Sequence, residues 1–127
     1  MNKSVTDLIN RIEQKKVIIG VLGLGYVGLP LATLFAKKGL NILGFEKSPE
    51  KVRQINAGKN YIPDIEDKVF AKVIKSGKLT ATTDFKRIKE CQALIICVPT
   101  PLDCFKKPDM SYIEAASQAI GRNMKKG

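Results

Sequence analysis

Gly23, Gly25 and Gly28 follow an apolar run at 17–22 in the spacing G-x-G-x-x-G. The chemistry this spacing suits is holding a dinucleotide by its pyrophosphate. A first glycine permits a tight turn off a strand, a second has no Cβ to keep the phosphates away, and a third lets the next helix pack close to the sheet. The whole turn, Gly23-Leu24-Gly25-Tyr26-Val27-Gly28, opens a helix whose unpaired N–H groups and partial positive charge favour phosphate. Pro30 is tolerated there, because its missing N–H falls among first-turn donors that have no helical partner. The motif alone serves many ends, so the residues around it decide.

Glu46 ends a second apolar run, Asn41-Ile42-Leu43-Gly44-Phe45, and stands 18 residues beyond Gly28. A dinucleotide fold places there the acid that accepts hydrogen bonds from the adenosine ribose hydroxyls, and its charge repels a 2′-phosphate, which selects NAD over NADP. The alternative is a surface carboxylate at a strand end, and Lys47 beside it weakens the charge argument. Lys51 either reaches the adenosine end of a cofactor or is one more solvated lysine. A further apolar run at 93–98 stops abruptly in Val98-Pro99-Thr100-Pro101. Ligands of open α/β sheets sit beyond the carboxyl ends of the strands. The Thr100 hydroxyl on a rigid Pro-Thr-Pro turn is placed to touch a cofactor, unless the turn merely ends the strand.

The elements that position these residues follow from the spacing of apolar side chains. Val5, Leu8, Ile9 and Ile12 give 5–15 an apolar helical face, with Ser4 as N-cap and Asp7 in the first turn. Residues 1–15 are read as an amphipathic N-terminal helix and 16–127 as the cofactor domain. After the glycine turn a helix carries Val27, Leu31, Leu34 and Phe35 on one face and stops at Gly39. Ser48 and Pro49 start the next helix, with Val52 and Ile55 inward and Gly58 at its end. Ile65, Val69, Val73 and Ile74 mark a helix over 65–76, and 79–82 is a short strand. Asp84 caps a brief helix to about Glu90. The run at 93–98 is apolar enough for a parallel strand covered on both faces. Ser111 to Glu114 fits an S-x-x-E capping box, and Ile113, Ala116, Ile120 and Met124 form the stripe of the last helix. Strand–helix alternation with short connections implies right-handed crossovers and a parallel sheet. The expected fold is α/β, a Rossmann-type doubly wound parallel sheet in three α/β/α layers with strand order 3-2-1-4. A further strand is due where the sequence stops, so the domain reads as truncated.

With 127 residues, 44% of them hydrophobic and 27% charged, the chain has the make-up of one globular domain with a single core. No apolar run approaches the ~20 residues of a bilayer span, and Asp7, Arg11 and Glu13 interrupt any signal-peptide pattern. A cytoplasmic protein without a membrane partner is expected. The net charge of +10 suits anionic partners, or else reflects a solvated lysine surface. Its basic residues are scattered in pairs such as Lys15-Lys16 and Lys37-Lys38, which argues against nucleic acid. Cys91, Cys97 and Cys104 lack C-x-x-C spacing, so neither a metal site nor a disulfide framework is indicated. The sequence contains no histidine, which leaves Cys104 without that activating base and removes the commonest general base.

Taken in order, Gly23-Leu24-Gly25-Tyr26-Val27-Gly28-Leu29-Pro30, Glu46, Asn56-Ala57-Gly58, Val98-Pro99-Thr100-Pro101 and Asp109-Met110-Ser111-Tyr112-Ile113-Glu114-Ala115 resemble the NAD-binding domain of the UDP-glucose/GDP-mannose 6-dehydrogenase family. The resemblance runs from about Lys16 to the end. It implies an enzyme that oxidises the C6 hydroxymethyl of a nucleotide sugar to a carboxylate in two NAD-dependent steps. It also implies that the 23–28 turn holds the pyrophosphate, Glu46 the adenosine ribose and Lys51 the adenine side, with Val98, Pro99, Thr100 and Pro101 lining the cofactor cleft. A UDP-sugar and a homo-oligomeric partner are implied for the full-length protein. Many members carry Tyr-Glu-Pro-Gly where Tyr61-Ile62-Pro63-Asp64 stands; that variant, with Val-Pro-Thr-Pro-Leu-Asp further on, resembles the branch acting on UDP-N-acetylhexosamines. The family's nucleophilic cysteine lies in a later Gly-Gly-x-Cys-type motif, and none of the three cysteines here sits in one. No catalytic residue is therefore assigned, and these 127 residues alone are expected to be inactive. Two other readings compete: a stand-alone, non-catalytic NAD(H)- or nucleotide-binding module, and a basic nucleic-acid binder of steep salt dependence.

Overall fold

Four short apolar runs form one parallel sheet: β1 (Ile18–Leu22), β2 (Asn41–Phe45), β3 (Leu79–Thr82) and β4 (Ala93–Ile96), in the spatial order β3-β2-β1-β4. The computed structural model describes residues 3–124, and its strand order is the one expected. Leu22 is level with both Phe45 and Ile96, so β1, β2 and β4 end together at one edge. The chain runs outward from β1 through β2 to β3 and then returns to the other side of β1. That reversal makes the β1/β4 boundary the switch point of the sheet.

The connections are α1 (Lys3–Glu13), α2 (Gly28–Lys37), α3 (Pro49–Asn56), α4 (Asp67–Lys75), a 3-10 turn (Phe85–Glu90) and α5 (Ser111–Asn123). Leu29, Ala32, Ile55 and Phe70 from α2, α3 and α4 join Val21 and Ile42 in one core. Ile88 and Ala116, from the 3-10 turn and α5, join Leu22, Leu43 and Phe45 in a second. The sheet is thus the middle of three layers. The side chain of Asn56 ties α3 to β3, donating to the Ala81 carbonyl and accepting from the Ala81 N–H, both at 2.9 Å.

Several local expectations are corrected. α2 buries Gly28, Leu29, Ala32, Thr33 and Ala36, whereas Val27 and Leu34 are 68% and 48% exposed. Small side chains at 28, 32 and 36 bring this helix close to the sheet, which turns the bulkier neighbours outward. α1 begins before Ser4, and its first turn holds no acid, so Asp7 stands further along. Leu8 packs on the core while Val5, Ile9 and Ile12 stay exposed. α4 starts at Asp67, and the segment after Asp84 is 3-10. Ser111 does not cap α5, whose N-cap position is Met110 without a side-chain bond; the preceding Asp109 accepts at Oδ1 from the Ser111 N–H at 2.9 Å. Hydrogen bonds from Ser111 hold the Asp109 carboxyl below its ordinary range. Met124 lies past the helix and is exposed. β4 is only half-buried, because β1 is its one neighbour among the described strands. No helix among the described residues is long and apolar enough to cross a membrane.

Candidate cofactor site

The turn after β1 is built by its own packing at two of its three glycines. Gly23 has φ 96°, which glycine adopts without steric cost. A Cβ there would stand 2.6 Å from the Cys97 carbonyl oxygen, and one on Gly28 would stand 1.7 Å from that of Gly23. Gly25 differs, for a Cβ on it would meet nothing within 4 Å. The N–H groups of Gly25, Tyr26, Val27 and Gly28 find no acceptor among the described residues, and Val27, the N-cap of α2, offers no side-chain bond. Four consecutive donors at a helix N-terminus, beside open space, can take an anion.

Leu24 anchors this turn. Its side chain is fully buried and would collide with any Cβ on Gly44, which is why β2 carries glycine there. Its N–H donates to Glu46 Oε1 at 3.4 Å, and Glu46 Oε2 accepts from the Ser48 N–H at 3.0 Å. The carboxylate is therefore fixed at the end of β2 rather than adrift on the surface. Its oxygens have acceptor capacity left for hydroxyls. The Leu24 carbonyl accepts from the hydroxyl of Tyr61.

A cleft of about 260 Å³ opens beside Glu46. Gly23, Val98 and Pro99 form its sheet side, Phe45 and Phe85 an aromatic wall, and Tyr112, Ala115 and Ala119 its α5 side. The two phenylalanine rings lie 5.6 Å apart and tilted by 41°. Lys47, at the rim, places its ammonium 5.9 Å from the centre of the Tyr112 ring. An apolar slot with a carboxylate at its mouth suits a flat ring carrying a polar substituent.

Residues 17–127 match the family model described as UDP-glucose/GDP-mannose dehydrogenase family, NAD binding domain. The chain belongs to this family. UDP-N-acetyl-D-mannosamine dehydrogenase of Pyrococcus horikoshii is 39% identical over 110 residues, which are 86% of this chain and 26% of that protein. NDP-N-acetyl-D-galactosaminuronic acid dehydrogenase of Ralstonia nicotianae is 41% identical over 111 residues, 86% of this chain and 25% of that one. Among solved structures, a ternary complex of GDP-mannose dehydrogenase from Pseudomonas aeruginosa superposes with a TM-score of 0.75 at 34% identity, over 81% of this chain and 24% of that one. The chain thus spans about a quarter of the length of the relatives it matches.

Within this NAD-binding domain, the structure brings Gly23, Glu46, Val98 and Pro99 to one cleft, next to the Gly25–Gly28 donors. It does not bring Thr100, Pro101 or Lys51 into the lining. Thr100 and Pro101 are exposed beyond it, and the Lys51 ammonium lies 5.6 Å from the centre of the Tyr61 ring. Sequence reasoning missed Phe45, Phe85, Tyr112, the α5 alanines and Tyr61. Ala115 and Ala119, four apart and flanked by a stripe of larger side chains, are the trace they leave in the sequence. The cysteines hold no activated thiol: burial pushes Cys91 up to about 11 and raises Cys97 as well. No cluster of metal-ligating side chains occurs among the described residues.

Proposed function

We propose that this chain is the NAD-binding portion of a nucleotide-sugar 6-dehydrogenase, which oxidises a sugar C6 hydroxymethyl to a carboxylate in two NAD-dependent steps. The observation that carries the reading is the run of four unpaired N–H donors at Gly25, Tyr26, Val27 and Gly28, beside the anchored Glu46 carboxylate. These donors hold the pyrophosphate, and open space at Gly25 admits it. Glu46 accepts from the adenosine ribose and repels a 2′-phosphate, while the aromatic slot takes the adenine. Bound NAD supplies the hydride acceptor for both oxidations. Several relatives are named for N-acetylated UDP-sugars, which supports a UDP-N-acetylhexosamine as substrate, within a cytoplasmic homo-oligomer.

Calorimetric titration of the chain with NADH and NADPH tests the cofactor reading, with NADH expected to bind at least ~10-fold more tightly. Equal affinities, or none for NADH, would overturn it. The wider activity requires that the coding frame continue past Gly127 into a Gly-Gly-x-Cys motif. A stop codon directly after Gly127 would favour a stand-alone binding module.

A further inference from the structure

The peptide at which the donor run starts, Leu24–Gly25, is held from outside the turn. Both of its flanking anchors come from distant segments: Glu46 at the end of β2 takes the Leu24 N–H, and Tyr61 in the loop between α3 and α4 donates to the Leu24 carbonyl. A trans peptide is planar, so fixing its C=O fixes the opposed N–H of Gly25. The loop that carries Tyr61 is itself secured. Asn60 donates to the Ile65 carbonyl at 2.6 Å and accepts from the Ile62 N–H at 2.8 Å, and Ile62 and Ile65 are buried. The Lys51 ammonium lies over the Tyr61 ring.

We propose that Tyr61 is a positioning residue of the dinucleotide site: its hydroxyl, by holding the Leu24 carbonyl, presets the Leu24–Gly25 peptide so that the Gly25 N–H meets the pyrophosphate already aligned. Donors oriented before the ligand arrives spare the ordering cost of binding. The inference rests on the cofactor reading above and adds a residue that never touches the ligand. Burial and the nearby Glu46 charge push the Tyr61 hydroxyl up to about 12, which keeps it a donor throughout the ordinary pH range.

The test is an NMR titration of the isotope-labelled 127-residue chain with adenosine and with ADP, in the parent and in Tyr61→Phe. Phenylalanine keeps the ring beneath Lys51 and removes only the donor. Adenosine engages the slot and Glu46 alone, whereas ADP also reaches the turn. In Tyr61→Phe the ADP affinity should fall roughly 5- to 10-fold while that for adenosine holds, and the Gly25 amide signal should shift in the free variant. An equal loss for both ligands marks a general loosening and overturns the proposal, as does an unchanged ADP affinity. A parent chain that binds neither ligand removes the cofactor reading, and the role of Tyr61 falls with it.

Discussion

Replacing the three turn glycines by alanine one at a time separates what the fold needs from what a ligand needs. At Gly28 the new Cβ would stand 1.7 Å from a backbone oxygen, which no side-chain rotation relieves. The expected cost is ~3 kcal/mol or more, at the upper end of overpacking effects. At Gly23 the left-handed φ of 96° adds about 1–2 kcal/mol of backbone strain to a 2.6 Å contact with Cys97. At Gly25 neither penalty exists. There is no neighbour within 4 Å and no left-handed φ, so Gly25→Ala should leave stability unchanged or raise it by up to ~1 kcal/mol, through the unfolded chain. The same methyl group stands where a pyrophosphate must approach, and should weaken NADH by at least ~10-fold. Urea denaturation, with the m-value checked for constancy, measures the first effect and calorimetric titration the second. Should Gly25→Ala unfold as readily as Gly28→Ala, or bind NADH like the parent, the reasoning fails.

Changing Glu46 to Gln should narrow the preference for NADH over NADPH by ~10-fold, read by calorimetry; an unaltered ratio would remove Glu46 from the ribose site. Removing the Asn56 side chain with Asn56→Ala breaks two hydrogen bonds to Ala81 and should cost about 1–2 kcal/mol in urea denaturation. Asn56→Asp should be no better, since a carboxylate would then face the Ala81 carbonyl. The buried Cys91 thiol favours its neutral form when folded, with its pKa moved from 9.0 to about 11. Its contribution is therefore complete below pH 9 and is lost as pH rises toward 11. Stability curves measured across that window should flatten in Cys91→Ala. Alkylation at neutral pH should label the exposed Cys104 first and Cys91 last, as mass spectrometry of timed samples would show.

The alternation of apolar runs with glycine, proline and capping residues made the strand order readable, because each short connection leaves few ways to wind a parallel sheet. The conformation of the glycine turn and the place of Glu46 at the end of β2 were readable for the same reason: backbone conformation and strand ends leave fixed spacings. Side-chain partnerships across the fold left no such trace. Tyr61 meets Leu24 from 37 residues away, and Phe85 meets Phe45 only because the 3-10 turn folds under the sheet. Lys51 reads in the sequence either as a contact to the adenosine end of a cofactor or as a solvated lysine, and the ring 5.6 Å from its ammonium, that of Tyr61, is not visible in that spacing. The inward face of α2 was misread because hydrophobicity favoured Val27 and Leu34, while close approach to the sheet selected small residues instead.

The half-covered β4 has a consequence for how this domain behaves in company. Its outer side presents parallel-strand N–H and C=O groups without a neighbour among the described strands, flanked by the exposed Ile96. An open, apolar strand edge is a template for another strand. In residues 3–124 taken by themselves, β4 is the edge open to a strand of a second copy. A charged residue at position 96 would act as a gatekeeper against such pairing, one residue before the Cys97 carbonyl on which Gly23 packs.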